Sequence, residues 1–268
     1  MKTLVLDLKG NFAHFRKFYA NSTSLSYEFP PRTVLCGLFA GMLGFERDSY
    51  YEKFNEENTF LAVQILQPTK RISQTINYMW VKSSKDLNGS SGRMQIPVEW
   101  IVHEAGVGVG TLAYRIYFAH RDQTLYDQVA AYVRRGHAVY PPYMGITEAL
   151  ASIEYVGEAE AEEVQATGSL VEIATVCPIH LLQDITYPVI ENGQRKMRIY
   201  MRDRIPCSFD SRRKLSGITQ VIYEPRGKGI VACPKQSYVQ LMIERTPVSI
   251  LPMKSEGEGG GSLVFFPS

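Results

Sequence analysis

At 268 residues the chain can bury a core as one large domain or two small ones, and its 45% apolar and 21% charged residues exclude disordered, collagen, coiled-coil and low-complexity classes. The net charge of +2 says little alone, because a partner feels local patches rather than the total. No run reaches the roughly 18 apolar residues that span a bilayer, and Asp7 and Lys9 interrupt the first apolar stretch, so neither a membrane span nor a secretory signal is expected and a cytoplasmic location is.

Leu4, Leu6 and Leu8 alternate around Asp7 and predict a half-buried first strand. It runs into Gly10 and a stretch in which Phe12, His14, Phe15, Arg16, Lys17 and Tyr19 interleave rings with cations. Rings stack on bases and cations neutralise phosphate, so the interleaving suits nucleic acid; it equally suits rings in a core with cations in water. Residues 30 to 44 (PPRTVLCGLFAGMLG) predict a helix. Its prolines forbid an earlier start, Thr33 is the expected N-cap, Val34, Leu35, Leu38, Phe39, Met42 and Leu43 form an apolar stripe, and Gly44 suits the C-terminal cap. Gly37 and Gly41 share one helix face at a cost of about 1 kcal/mol each against Ala, which points to another backbone packed there. Arg32 stands beside the helix N-terminus, where free N–H groups favour an anion, so it is either a phosphate ligand or the partner of an acidic neighbour.

A short charged helix is expected over residues 48 to 57, then a strand with Leu61, Val63 and Ile65 on one face. Another strand follows over residues 71 to 82, where Ile72, Gln74, Ile76, Tyr78 and Trp80 alternate. Residues 83 to 92 are rich in Ser, Asn and Gly and read as a flexible loop. Strands over 94 to 102 and 112 to 120, joined by a glycine-bearing turn, read most simply as a long hairpin. Those glycines are followed by neither Lys-Ser/Thr nor a helix, which excludes a nucleotide-binding phosphate loop. A second helix starts at Thr124, spaced to Asp127 as in a capping box, and ends at Gly136 with Arg134 and Arg135 in its last turn. A proline-fixed turn, YPPYMG, occupies residues 140 to 145. The order strand, helix, strand, strand or hairpin, helix, strand is the β-α-β-β-α-β pattern of a ferredoxin-like α+β domain. From about residue 151 β structure dominates, and the tail over 255 to 268 is either a flexible end or a loop and last strand.

Residues 148 to 172 carry seven acidic side chains and no basic one. Residues 195 to 214 carry eight basic ones (Arg195, Lys196, Arg198, Arg202, Arg204, Arg212, Arg213, Lys214) against Asp203 and Asp210. That second run is either a solvated strand pair or loop, or a surface for a polyanion or an acidic protein. Cys36, Cys177, Cys207 and Cys233 form no Cys-x-x-Cys pair, so buried free thiols are expected rather than zinc or disulfides. There is no nucleophile elbow, His-Glu-x-x-His, Walker motif or carboxylate cluster with metal-ligand spacing, and the five histidines show no paired spacing. Nothing in the chain requires an enzyme, a cofactor or a metal.

Three segments together resemble a known family. PPRTVLCGLFAGMLGFERDS (residues 30 to 49), preceded by LVLDLKGNFAHFRK and followed by YPPYMGITE (residues 140 to 148), is similar in order and spacing to the CRISPR-associated protein 5 family. Members cap the 5′ end of CRISPR RNA (crRNA) in type I Cascade complexes, and Phe-Arg-Lys-Phe-Tyr after the first strand resembles the type I-B branch. The resemblance covers residues 1 to about 148 and is loose beyond. It implies a ferredoxin-like, RNA-recognition-type (RAMP) core over residues 1–150, with a β-hairpin thumb at about 82–114. A β-rich C-terminal region over 151–268 is either separate from that core or continuous with it. It further implies a non-catalytic role in antiviral defence, holding the crRNA 5′ handle and bridging the Cascade backbone and large subunits, near target DNA, with no membrane partner. Family analogy and local charge place the handle near Lys9, Phe12, His14, Arg16, Lys17, Arg32 and Thr33, the thumb cations Lys82 and Arg93, and Tyr143 of the proline turn. The type I-C branch resembles a metal-independent endoribonuclease that uses Tyr, Lys and His; His14, Lys17 and Tyr19 are the residues of those types close together here, without matching that branch's site.

Overall fold

In the computed structural model, which describes residues 1–191 and 194–255, the chain begins with β1 (Lys2–Gly10), α1 (Arg32–Leu43), β2 (Thr59–Ile65), β3 (Thr69–Met79), β4 (Arg93–His103), β5 (Leu112–His120), α2 (Gln123–Arg135) and β6 (Ala151–Gln165). It continues through β7 (Val171–Ile173), β8 (Leu182–Ile185), β9 (Met201–Phe209), β10 (Leu215–Tyr223), β11 (Ile230–Pro234), β12 (Ser237–Ile243) and β13 (Thr246–Ile250), with shorter two- to four-residue pieces between. The two readings of the tail concern residues beyond Ser255, outside the described residues.

Nine strands form one sheet in the order β8-β11-β7-β13-β12-β6-β1-β5-β2. The fold is therefore a mixed, strand-rich α+β arrangement in which strands from before and after residue 150 share a sheet. β1 lies inside it, antiparallel to β5 (Leu6 opposite Ile116) and to β6 (Leu8 opposite Ile153). The expected half-burial of β1 is corrected to burial on both faces. Leu4, Leu6 and Leu8 enter the core that contains the two helices, whereas Val5 enters a second core with Ile173, Ile222 and Leu241. A lone charge in such a strand would be costly, and Asp7 is paired: Arg115 on β5 donates to it from Nε at 2.8 Å and Nη2 at 3.0 Å. The acidic run on β6 is matched in the same way, with Glu154 against Lys9, Glu158 against Lys2 and Arg134, and Glu160 against the amino terminus.

Both helices end on left-handed glycines, Gly44 and Gly136, as expected. Their starts differ from expectation. Pro31, in an extended conformation and with no N–H to satisfy, occupies the N-cap position of α1, so Thr33 is not the cap. In α2 the carboxylate of Asp122 accepts the N–H of Thr124 at 2.8 Å and of Leu125 at 3.3 Å, which moves the cap off Thr124. Residues 48 to 57 form separate turns, not a helix, and Asp48 at their start sits at φ 63, in the left-handed region.

The hairpin is also redrawn. β4 pairs along its length with β3 (Ile72 opposite Trp100, Ile76 opposite Ile96), while β5 pairs with β1 and β2 in the large sheet. The hairpin thus joins residues 69–79 to 93–103, instead of the expected 94–102 to 112–120. β3 has no buried residue and β4 is buried only towards its end, whereas β5 is buried on both faces and belongs inside a sheet. Its tip is built rather than loose: Asp86 accepts from the N–H groups of Lys82 and Ser83 and the hydroxyls of Ser83 and Ser91. All four cysteines are buried free thiols, as expected. No helix among the described residues is long and apolar enough to cross a membrane.

Candidate nucleic-acid interface

One face of α1 stays open. A Cβ added at Gly41 would meet nothing within 4 Å, and one at Gly37 would meet only the Tyr50 side chain, 3.2 Å from its Oη. The neighbouring backbone expected from these glycines reaches only the carbonyl of Gly41, 3.3 Å from the N–H of Tyr140, and beside their Cα atoms lies a cleft of about 840 Å³ that they line. Tyr50 and Tyr51 come to it from the turns after α1, Tyr140 and Tyr143 from the proline turn, and Arg47 and Arg213 add cations. The proline turn is fixed from two sides. Val139 N–H donates to Met42 O at 2.9 Å at the end of α1, and His14 N–H donates to Met144 O at 3.1 Å. Gly145 is required there, because its φ is 88 and a Cβ would lie 2.1 Å from the carbonyl oxygen of His14.

Asp48 organises the cation side. It accepts the Tyr51 hydroxyl and lies 3.5 Å from Arg47 Nε and 3.9 Å from Arg213 Nε. Burial, and then that hydrogen bond, pushes the Tyr51 phenol above its ordinary pKa; burial does the same for Tyr50. Both remain neutral rings at physiological pH. A cleft walled by tyrosines, open to the helix backbone and carrying arginines can hold an unstacked base against a ring while a guanidinium meets its phosphate.

Thr33 and Tyr143 both line this cleft. Arg32 does not. It is 1% exposed, with Nη1 donating to Cys207 O at 2.8 Å and Nη2 to the carbonyls of Phe54 (3.0 Å), Asn55 (2.7 Å) and Thr59 (3.0 Å). Both readings of Arg32, phosphate ligand and partner of an acidic neighbour, are overturned: its fork is used up on carbonyls of the 54–59 segment and of β9.

Lys17 is likewise turned inward, 2.6 Å from Asp203. His14 is 5% exposed; its Nδ1 lies 2.7 Å from Glu99 O, which can only accept, so Nδ1 carries the proton and Nε2 accepts from the Ser24 hydroxyl at 2.9 Å. Burial holds its pKa below the ordinary 6.5. Neither residue is placed to meet a phosphate in solvent. Tyr19 donates to Asp203 at 2.7 Å, so it joins Lys17 while His14 faces another way, and the three do not converge. Lys9 pairs with Glu154 at 2.5 Å, and Phe12 packs edge-on to Trp100 at 5.5 Å. Arg16, Lys82 and Arg93 are exposed and have no salt bridge among the described residues, Lys82 resting 4.9 Å from the Trp80 ring centre. Among the described residues no group of three His, Cys, Asp or Glu side chains is placed to hold a metal ion.

Sequence reasoning does not reach Arg47, Tyr50, Tyr51 or Tyr140, and it sees Arg213 only as one cation in a basic run. The available signals were the Tyr50-Tyr51 doublet and the tyrosines flanking Pro141 and Pro142; what assembles them is a contact between segments about ninety residues apart.

No protein-family model and no curated protein matches the sequence. Among solved structures, a CRISPR protein from Archaeoglobus fulgidus is similar with a TM-score of 0.54 at 11% identity, over 93% of this chain and 98% of that one. A chain of a CRISPR RNA-guided surveillance complex aligns with a TM-score of 0.48 at 13% identity, over 87% of this chain and 91% of that one. A CRISPR-associated protein aligns with a TM-score of 0.33 at 14% identity, over 59% and 69%. The chain's structural neighbours are thus CRISPR-associated proteins at low sequence identity, and the fold is the one it shares with the Archaeoglobus fulgidus protein.

Proposed function

We propose that this chain is a non-catalytic RNA-binding subunit of a type I CRISPR surveillance complex, holding the crRNA 5′ handle against the α1 cleft. The observation that carries the reading is the cleft itself: tyrosine walls, a helix face left open at Gly41, and arginines for phosphate. The connectivity supports it. Within the large sheet the order β6-β1-β5-β2, with α1 between β1 and β2 and α2 between β5 and β6, is compatible with the ferredoxin-like, RNA-recognition-type core of this reading. In this reading residues 1–150 are the RNA-binding core, the β3–β4 hairpin is its thumb, and the later strands extend the same sheet. Thr33 and Tyr143 hold RNA in the cleft. Arg16, Lys82 and Arg93 face RNA or the neighbouring backbone subunit, and the remaining exposed faces meet the large subunit near target DNA.

The non-catalytic part rests on His14, whose two ring nitrogens are both engaged, and on Lys17, held by Asp203. The test is a labelled RNA carrying the associated CRISPR repeat, incubated with the protein in EDTA and run on a denaturing gel. Intact RNA is expected. A single metal-independent cut within the repeat, lost in a folded His14→Ala variant, would make the protein the processing endoribonuclease instead.

A further inference from the structure

Away from the cleft, the buried carboxylate of Asp203 collects three donors: Lys17 Nζ at 2.6 Å, Tyr19 Oη at 2.7 Å and the N–H of Arg204 at 2.8 Å. They fasten the Phe-Arg-Lys-Phe-Tyr segment to β9, which joins two stretches that lie almost two hundred residues apart. Phe18 and Tyr19 are left edge to face with ring centres 5.2 Å apart, yet 37% and 39% exposed. The Arg204 guanidinium lies 5.4 Å from the Phe18 ring centre and 5.3 Å from that of Tyr19. Arg202 lies two residues back on the same face of β9, and both arginines are exposed without a carboxylate partner among the described residues. Two large rings held in water by a buried ion pair are preorganised, so little entropy is lost when something flat stacks on them.

We propose that Phe18, Tyr19, Arg202 and Arg204 form a second contact for single-stranded nucleic acid, with bases stacking on the ring pair and phosphates meeting the two arginines. The proposal rests on the RNA-binding reading and extends it beyond the cleft, with Lys17 and Asp203 as positioning residues. An acidic peptide would pair with the arginines but leave the ring faces unused, whereas a nucleotide uses both.

The test titrates the full chain with fluorescently labelled oligouridylate at several salt concentrations. Phe18→Ala should weaken binding about tenfold with little change in salt dependence, because stacking carries no counterion release. Arg202→Ala combined with Arg204→Ala should flatten the slope of log K against log salt by about 1.4, two single-strand phosphates at about 0.7 each. Phe18→Trp should retain affinity, and its added indole emission should be quenched on binding. Wild-type affinity in Phe18→Ala would overturn the platform, and Arg204-dependent binding of polyglutamate with none of oligouridylate would reassign the surface to an acidic protein. Gly41→Leu, which puts a side chain into the cleft at the helix face, is measured alongside. Loss there with the platform variants unaffected overturns this inference alone; loss at the platform with Gly41→Leu unaffected overturns the cleft reading alone; no binding by wild type overturns both.

Discussion

Arg32→Met removes a donor from four backbone carbonyls, those of Phe54, Asn55, Thr59 and Cys207, while keeping an unbranched apolar stem in the same space. Asn55 O keeps the N–H of Thr59 at 3.0 Å and Phe54 O keeps only the weak Cys36 thiol at 3.6 Å, so three carbonyls lose their strong donor. At about 1–3 kcal/mol for each, the gross loss is about 3–9 kcal/mol. Against it stands the desolvation of the guanidinium, several kcal/mol that the variant recovers. A net loss of about 3 kcal/mol follows. For a chain of this size that lowers the thermal midpoint by roughly 6–12 °C, read by circular dichroism and checked by urea unfolding with an unchanged m-value. Arg32→Lys should fall in between, because one ammonium presents three donors and lacks the planar fork. A variant that melts within about 3 °C of wild type yet loses RNA binding would refute the structural role and restore Arg32 as a phosphate ligand.

Asp203→Ala strands the Lys17 ammonium, whose side chain is 8% exposed, and should cost about 3–5 kcal/mol in urea unfolding; a double variant with Lys17→Met should recover part of it, and independent effects of the two changes would contradict the pairing. Gly145→Ala places a Cβ against the His14 carbonyl at a positive φ, so it should displace the proline turn and weaken both stability and RNA binding. Stability should fall as the pH is lowered from 7 towards 5. Burial depresses the folded-state pKa of His14 below the 6.5 of the unfolded chain, so the unfolded state takes up protons first; the contribution is present above 6.5 and is lost as the pH drops through the folded value. His14→Gln should flatten this part of the profile, and an unchanged slope in that variant would assign it elsewhere.

Local chemistry is legible in the sequence wherever a residue answers to its own neighbours. Gly44 and Gly136 end their helices because a left-handed cap needs only the preceding turn, and the alternation in β3 and β4 marks strands whichever partner they take. Partner choice is not local. β4 has strands before and after it in the sequence, and only the burial of β5 on both faces decides that β5 joins β1 and β2. Arg32 shows the same limit at the site. Beside a helix start it has the look of an anion ligand, but its carbonyl partners sit at residues 54 to 59 and 207, and nothing near Arg32 announces them. The glycines of α1 are legible as an anomaly of another kind: the Tyr140 backbone meets the Gly41 carbonyl, and the space beside the glycine Cα atoms is an open cleft. The basic run is only partly a surface, since Arg198 pairs with Glu172 and Arg213 with Asp48, while Asp203, one of its two acids, anchors Lys17.

The central claim is that the open face of α1 receives RNA, and Gly41→Leu tests it with the least damage to the fold. Nothing lies within 4 Å of the added Cβ, and replacing a mid-helix glycine stabilises a helix by up to about 1 kcal/mol. With a labelled single-stranded RNA carrying the associated repeat, the variant should bind at least about tenfold more weakly than wild type while melting at the same temperature or higher. Equal affinity in a variant that is equally or more stable would contradict the account, because the open face of α1 would then be blocked without consequence.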